Sequence, residues 1–252
     1  MSVSSPEQTG TGDRLVPSPV FVLSPMRSGS TLLRVLLNSH SMIRAPHEMH
    51  LRTLGVTYAK PYTEVAVDRL GLDREQLEYL LWDRILHREL GRSGKQVIVD
   101  KTPGNALSWP RLKECWPLAR FVFLLRHPAS IFASMSEISP NASPETTAAL
   151  VLEHVDGVEE ARNTLPGHTV RYEELVSEPT RATEEICSFL GVPWEPGMLE
   201  YGKFDHGSFE TFIGDFTGKI RTGTICDPRR LPAPDAVPAS LRDACRRWGY
   251  PA

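Results

Sequence analysis

A loop near the start of the sequence combines residues that suit the binding of a phosphate or a sulfonate. It contains Arg27, Gly29, Ser30 and Thr31, and it follows an apolar stretch at 20–24 and precedes a second apolar run. This order predicts a buried strand, a turn and a helix. The first N–H groups of a helix lack partners within it and carry partial positive charge, so they attract anions. Gly29 lets the backbone approach such a ligand, and Arg27 adds a fork of charged donors.

The same loop departs from the nucleoside-triphosphate P-loop, which requires G-x-x-x-x-G-K-[ST]. It lacks the Gly-Lys pair, and its cation, Arg27, stands earlier in the turn. The sequence therefore favours a phosphate ligand other than ATP or GTP. Two alternatives stay open at this point: a small-molecule kinase with an atypical P-loop, and an ordinary strand–turn–helix with a surface arginine.

Short apolar segments alternate with helical patterns along the chain. The predicted strands cover 20–24, 96–99, 121–125 and 168–171. This alternation is typical of an α/β fold in three layers, in which helices flank a central, mostly parallel sheet. Ligands of such sheets bind at the carboxyl ends of the strands. The segments that follow the strands are therefore the candidate site: 27–31, 100–102, 126 and 171–174.

Length and composition limit the class of protein. The 252 residues suffice for one large domain, and we predict a flexible leader at 1–17 and a single domain at 18–252. The net charge of −3 disfavours a dedicated nucleic-acid binder. The four cysteines are scattered and form no zinc motif. The leader is unlike a signal peptide, and no apolar run reaches about 18 residues, so we expect a cytoplasmic protein without a membrane span.

Two signatures resemble the sulfotransferase family that uses 3′-phosphoadenosine 5′-phosphosulfate. Residues 27–32, Arg-Ser-Gly-Ser-Thr-Leu, are similar to its 5′-phosphosulfate loop, and Arg126 with Ser134 matches its Arg and Ser, eight residues apart, that grip the 3′-phosphate. The helix after the third predicted strand would carry Ser134 about two turns along from Arg126. The resemblance implies a P-loop-like fold and nucleotide contacts from the whole first loop: Arg27, Ser28, Gly29, Ser30, Thr31 and Leu32.

Three further segments extend the resemblance to most of residues 20–250. Residues 170–175, Val-Arg-Tyr-Glu-Glu-Leu, match the family's "RYEDL" stretch, which makes Tyr172 a candidate nucleotide contact or a structural tyrosine. Residues 216–220 resemble a loop that closes over the nucleotide, and 248–250 resemble the family's Leu-Gly-Tyr end. The resemblance implies that the closing loop contacts the nucleotide, with a plain surface loop as the alternative, through Lys219, Ile220 and Arg221.

The branch that includes the tyrosylprotein sulfotransferases is the most similar one. Its proposed base is a glutamate 21 residues after the loop arginine, and Glu48 holds that position. The segment Asp-Lys-Thr-Pro at 100–103 resembles its "Asn-Lys-Asp-Pro" segment with an assisting lysine, here Lys101. Glu48 would act as general base, while Arg27 and Lys101 neutralise charge on the transferring group. His47 is the alternative base, because histidine titrates near neutrality.

The sequence therefore predicts a sulfotransferase that moves a sulfuryl group to a hydroxyl of a small molecule or glycan. The product nucleotide is adenosine 3′,5′-bisphosphate. We expect no metal, because H-E-x-H at 47–50 differs from the zinc motif H-E-x-x-H. We expect no nucleic-acid or membrane partner, and a homodimer is left open. A composition rich in Arg, Pro and Ala favours a bacterial enzyme of secondary metabolism. A small-molecule kinase and a non-catalytic nucleotide-binding relative are the rival functions.

Overall fold

A computed structural model describes residues 14–207, 209, 218–226 and 230–252. Its centre is a five-stranded sheet with the strand order β2-β3-β1-β4-β5, and all four pairings are parallel. The predicted α/β class is confirmed, and the sheet is parallel throughout the described residues. The strands are β1 (Val20–Leu23), β2 (Ile43–Arg44), β3 (Val97–Asp100), β4 (Arg120–Leu125) and β5 (Gly167–Arg171).

Nine α-helices lie in the described residues and connect or cover the strands. They are α1 (Ser30–Asn38), α2 (Pro61–Asp68), α3 (Arg74–Ser93), α4 (Trp109–Cys115), α5 (Pro128–Ile138), α6 (Pro144–Thr164), α7 (Tyr172–Ser177), α8 (Pro179–Leu190) and α9 (Arg242–Arg247). Short 3-10 turns cover Leu51–Thr53, Pro103–Leu107, Pro196–Lys203, Lys219–Thr222, Pro234–Ala236 and Ala239–Leu241.

The strands of the sheet centre are buried on both faces, which is why they read as continuous apolar runs. Phe21 and Phe123 point into a core shared with α3, α4, α5, α6 and α9. Val22 and Val122, at alternate positions on the same two strands, point into a second core shared with α1, α7 and α8. The result is the three-layer arrangement that the sequence predicts.

Local sequence signals set several element ends. Asp73 caps α3 by accepting from the Gln76 N–H at 2.8 Å, and the Gln76 side chain accepts from the Asp73 N–H at 2.9 Å. This capping box is the one predicted from the sequence. Gly191 ends α8 with a φ of 70°, as expected of a C-terminal glycine.

Three features differ from the sequence-based expectation. Strand β2 was not predicted, because two residues are too few to show a period. Helix α7 follows β5 without an intervening loop, although 172–177 was read only as a motif. The stretch at 202–235, expected to be loop, contains 3-10 turns in its described parts.

The predicted leader contains residues that pack on the domain. Val16 is buried, its N–H and that of Leu15 donate to the Asp83 carboxylate at 3.1 and 2.7 Å, and Arg14 Nε donates to Cys115 O at 2.7 Å. Residues 14–16 therefore belong to the folded domain, while 1–13 lie outside the described residues. None of the helices in the described part of the chain has the length and apolar content needed to cross a bilayer.

Candidate active site

The turn between β1 and α1 has the backbone shape of an anion-binding loop. Arg27 has a φ of 63° and Gly29 a φ of 88°, so the chain turns through two left-handed residues before α1 begins. A Cβ on Gly29 would stand 2.2 Å from Tyr172 Cδ2, so glycine is required by both φ and space. The start of α1 has no side-chain cap and no acidic residue in its first turn. Its first N–H groups therefore suit an anionic ligand.

Four predicted nucleotide contacts meet beside this turn, and we call Arg27, Arg126, Ser134 and Tyr172 the loop cluster. Arg27 Nε donates to Ser134 Oγ at 3.2 Å. Arg126 Nη1 donates to Arg27 O at 2.6 Å, and its guanidinium lies 4.4 Å from the centre of the Tyr172 ring. The cluster joins residues from the ends of β1, β4 and β5, as expected at the carboxyl edge of a parallel sheet.

The end of β3 carries a buried ion pair. Lys101 Nζ donates to Glu48 Oε1, and the lysine is 0% exposed while the glutamate is 9% exposed. Burial lowers the pKa of Lys101, and the neighbouring Glu48 opposes that shift. Because Phe21 of β1 pairs with Asp100 of β3, the ion pair and the phosphate-type turn leave the same edge of the sheet. The two residues predicted as base and assisting cation are therefore in direct contact.

Asp100 holds the Glu48 segment against the end of β3. Its carboxylate accepts from Thr102 Oγ1 at 2.9 Å, from Asn105 Nδ2 at 2.8 Å and from the Met49 backbone N–H. Burial raises the pKa of Asp100, and these donors oppose the shift. Sequence reasoning treated Asp100 only as part of the motif. Its conformational role could not be read from the sequence, because the bond to Met49 spans about fifty residues.

The two histidines near Glu48 occupy different positions. His47 is exposed, and its Nδ1 lies 2.9 Å from the main-chain oxygen of Glu48. His50 is half-buried, with a φ of 49°, and its Nε2 lies 3.5 Å from Glu48 Oε2. The Glu48 carboxylate therefore has Lys101 on one oxygen and His50 on the other. Within the described ranges, no three His, Cys, Asp or Glu side chains are grouped closely enough to hold a metal.

Arg34 is a buried cation that the motif analysis missed. It lies on α1 with 1% exposure, and its Nη1 donates to Ala45 O at 3.3 Å and His206 O at 3.4 Å. Burial lowers its pKa to about 10, Glu48 raises it, and Arg44 lowers it further. The available signal was a charged residue inside the otherwise apolar run 32–37.

The segment after β5 and the chain end pack together behind the loop cluster. Glu173 accepts from the His127 N–H at 3.1 Å and from the Tyr250 hydroxyl at 2.6 Å. Arg171 Nη2 donates to Trp248 O at 2.6 Å. The Arg-Tyr-Glu motif and the Trp-Gly-Tyr end are therefore parts of one packed structure.

The predicted closing loop is only partly within the described residues. Residues 216 and 217 lie outside them, and Lys219 begins a 3-10 turn. Ile220 packs against the core that α1 faces, and Arg221 Nη2 donates to Phe209 O at 3.2 Å. The described contacts do not bring these side chains to the loop cluster.

Comparison with known proteins gives the same assignment as the motifs. The sequence pattern of the Sulfotransferase family matches residues 19–196. Nodulation protein NoeE of Sinorhizobium fredii is 29% identical over 211 residues, which are 70% of this chain and 50% of that protein. Protein-tyrosine sulfotransferase 1 of Danio rerio is 23% identical over 203 residues, which are 72% of this chain and 55% of that protein. The chain thus spans about half the length of these two relatives.

Solved structures show the same fold. The sulfotransferase domain of the olefin synthase from Synechococcus PCC 7002 superposes with a TM-score of 0.69 at 23% identity, and the match covers 97% of this chain and 99% of that domain. The predicted P-loop-like fold and the similarity to the tyrosylprotein branch are confirmed. On the matched pattern, which covers most of the chain, this protein belongs to the Sulfotransferase family.

Proposed function

We propose that this protein transfers a sulfuryl group from 3′-phosphoadenosine 5′-phosphosulfate to a hydroxyl of a small molecule or a glycan. The observation that carries the proposal is the buried Glu48–Lys101 pair beside the turn that precedes α1. A binding-only relative needs the turn but has no need of a buried carboxylate at its edge. The pair therefore favours a transferase over a protein that merely holds a nucleotide.

The donor set fits a nucleotide with phosphates at two positions. When bound, the donor nucleotide supplies an activated sulfuryl group and a phosphate leaving group. Arg27, with the backbone and hydroxyls of 28–32, would hold the 5′ end, and Arg126 with Ser134 would hold the 3′-phosphate. Arginine forks and free helix N–H groups are the protein's usual phosphate donors. Tyr172 places a ring face beside Arg126. In the same proposal Lys219, Ile220 and Arg221 close over the nucleotide.

Glu48 is better placed than His47 to remove the proton of the acceptor hydroxyl. It is buried at the carboxyl edge of the sheet, next to a cation that favours its ionised form. His47 is exposed, and one of its ring nitrogens is engaged by the main chain. Lys101 has three N–H donors, one of which contacts Glu48. The same lysine can therefore neutralise negative charge on the transferring group, together with Arg27.

The test is an acceptor screen with matched variants. The protein is incubated with the donor nucleotide and a set of hydroxyl compounds, and mass spectrometry detects the gain of one SO₃ group. We expect equal release of adenosine 3′,5′-bisphosphate. Glu48→Gln should lower turnover about 10²-fold or more, in the range of lost general-base catalysis, whereas His47→Gln should not. Loss of turnover in His47→Gln alone would move the base to His47.

A nucleotide experiment separates this function from its rivals. Adenosine 3′,5′-bisphosphate should raise the melting temperature, because it binds the folded state. ATP with magnesium should have a smaller effect. A larger shift with ATP would favour the kinase, and binding without any transfer would favour a non-catalytic relative.

A further inference from the structure

Arg34 is held in an arrangement that needs a physical reason. The side chain is 1% exposed, and its Nε and Nη2 have no hydrogen-bond partner among the described residues. Buried charged groups are costly unless they are paired, and buried donors are normally satisfied. A neutral side chain at this position would avoid that cost. The positive charge of Arg34 therefore calls for a role beyond filling space.

Linking the neighbouring segments does not require a charge, because Asn38 already does so. Asn38 lies one turn further along α1, and its Oδ1 accepts from the Ala45 N–H at 3.0 Å. Its Nδ2 lies 3.1 Å from His206 Nδ1 and 3.4 Å from Asp205 O. Arg34 Nη1 reaches the carbonyl oxygens of the same two segments. A neutral amide thus makes the links that the guanidinium repeats.

What Arg34 adds to these links is positive charge beside Glu48. The two residues attract each other electrostatically, and the arginine also acts on Lys101. With a pKa of about 10, Arg34 is charged at neutral pH. The groups that surround the Glu48 carboxylate are therefore Arg34 from α1, Lys101 with Asp100 from the end of β3, and His50 from its own segment.

We propose that Arg34 is a positioning residue for the transfer reaction: it supplies the second buried positive charge that keeps Glu48 ionised, and it fixes the Ala45 end of the segment that carries Glu48. The inference rests on the proposed role of Glu48 as base. A buried carboxylate whose single strong cation also faces the transferring group would be protonated more readily when Lys101 turns to that group. Arg34 maintains the counter-charge at that moment.

The test compares a charge change with a change of structure alone. Arg34→Gln removes the charge, Arg34→Lys keeps it, and Asn38→Ala removes the neutral links. Glu48 is followed by carbon NMR of labelled glutamate carboxyls, assigned by comparison with Glu48→Gln. In Arg34→Gln the midpoint of the Glu48 titration should rise by about one pH unit or more, since an opposite charge is lost. The acid limb of the kcat/KM profile should rise with it.

The other variants set the limits of this effect. Arg34→Lys should restore most of the midpoint, and Asn38→Ala should lower the melting temperature but leave the midpoint unchanged. Arg120→Gln is the control for burial. Arg120 also has a buried Nε without a partner in the described residues, but its Nη1 donates to Leu190 O at 2.6 Å, at the end of α8.

A second measurement needs no change at Arg34. The Nε–H signal of Arg34 in the unaltered protein should shift with the same midpoint as Glu48, and this response should vanish in Glu48→Gln. An Arg34 signal that ignores Glu48, or a midpoint unmoved in folded Arg34→Gln, would overturn the inference. If Glu48→Gln keeps full turnover, the proposed base fails instead, and the titration still reports on the Arg34–Glu48 coupling.

Discussion

The loop cluster and the pair formed by Glu48 and Lys101 leave neighbouring strands but hold their cations differently. In the loop cluster, Arg27 and Arg126 contact a serine hydroxyl, a main-chain oxygen and a tyrosine ring. At the end of β3, Lys101 contacts a carboxylate and is fully buried. One region presents cations through neutral partners, and the other stores a cation and an anion together.

This difference matches two tasks at one edge of the sheet. A permanent anion such as a phosphate is bound by donors already fixed in place, so its site is built from oriented arginines and backbone N–H groups. A proton transfer needs a group that changes its charge, and burial beside a cation is the means of tuning such a group. The comparison predicts that damage to the first region weakens binding, while damage to the second lowers turnover.

The largest expected effect is at Lys101. Lys101→Met should lower turnover about 10³-fold, because it removes a charge that stabilises the transferring group. It should also cost about 3–5 kcal/mol of unfolding free energy, since Glu48 is left without its buried counter-ion. Turnover and urea unfolding measure the two effects.

The double variant Lys101→Met with Glu48→Gln is the control for that change. It should recover much of the lost stability, because no unpaired charge remains, but none of the turnover. A Lys101→Met protein as stable as the original would show that the ion pair does not hold the Glu48 segment in place.

A smaller effect, on binding alone, is expected at Arg126. Arg126→Ala should weaken the binding of adenosine 3′,5′-bisphosphate about 10- to 100-fold, the range of hydrogen bonds to charged groups. Titration calorimetry gives the dissociation constant. Arg120→Ala is the matched control, because Arg120 begins β4 and Arg126 follows the end of the same strand. Equal binding by the two variants would remove Arg126 from the nucleotide site.

The smallest effect separates space from backbone strain in the loop. Gly29→Ala and Gly71→Ala both place a side chain at positive φ, 88° and 74°. A Cβ at Gly71 meets nothing within 4 Å, whereas one at Gly29 would collide with Tyr172. Gly71→Ala should cost about 1–2 kcal/mol, and Gly29→Ala should exceed it by about 1 kcal/mol or more, with weakened nucleotide binding. Equal losses in denaturant unfolding would mean that Tyr172 moves aside freely.

Most of the fold could be predicted because the central strands are buried on both faces. Their continuous apolar runs, and the glycines and caps at helix ends, are local signals that the chain carries within a few residues. Strand β2 and helix α7 were missed for the same reason. The first is too short to show a period, and the second directly follows a strand in a motif that was read for its chemistry.

By itself the sequence determined the loop from Arg27 to Leu32, the spacing of Arg126 and Ser134, and the candidates Glu48 and Lys101. Motifs carry such information because their residues are close together or fall in a fixed order. Only the tertiary structure decided that Glu48 and Lys101 touch, that His47 faces outward and that Arg34 is buried beside the base. Those facts depend on burial and on contacts across tens of residues, and the energy of a charge is set by what surrounds it in space.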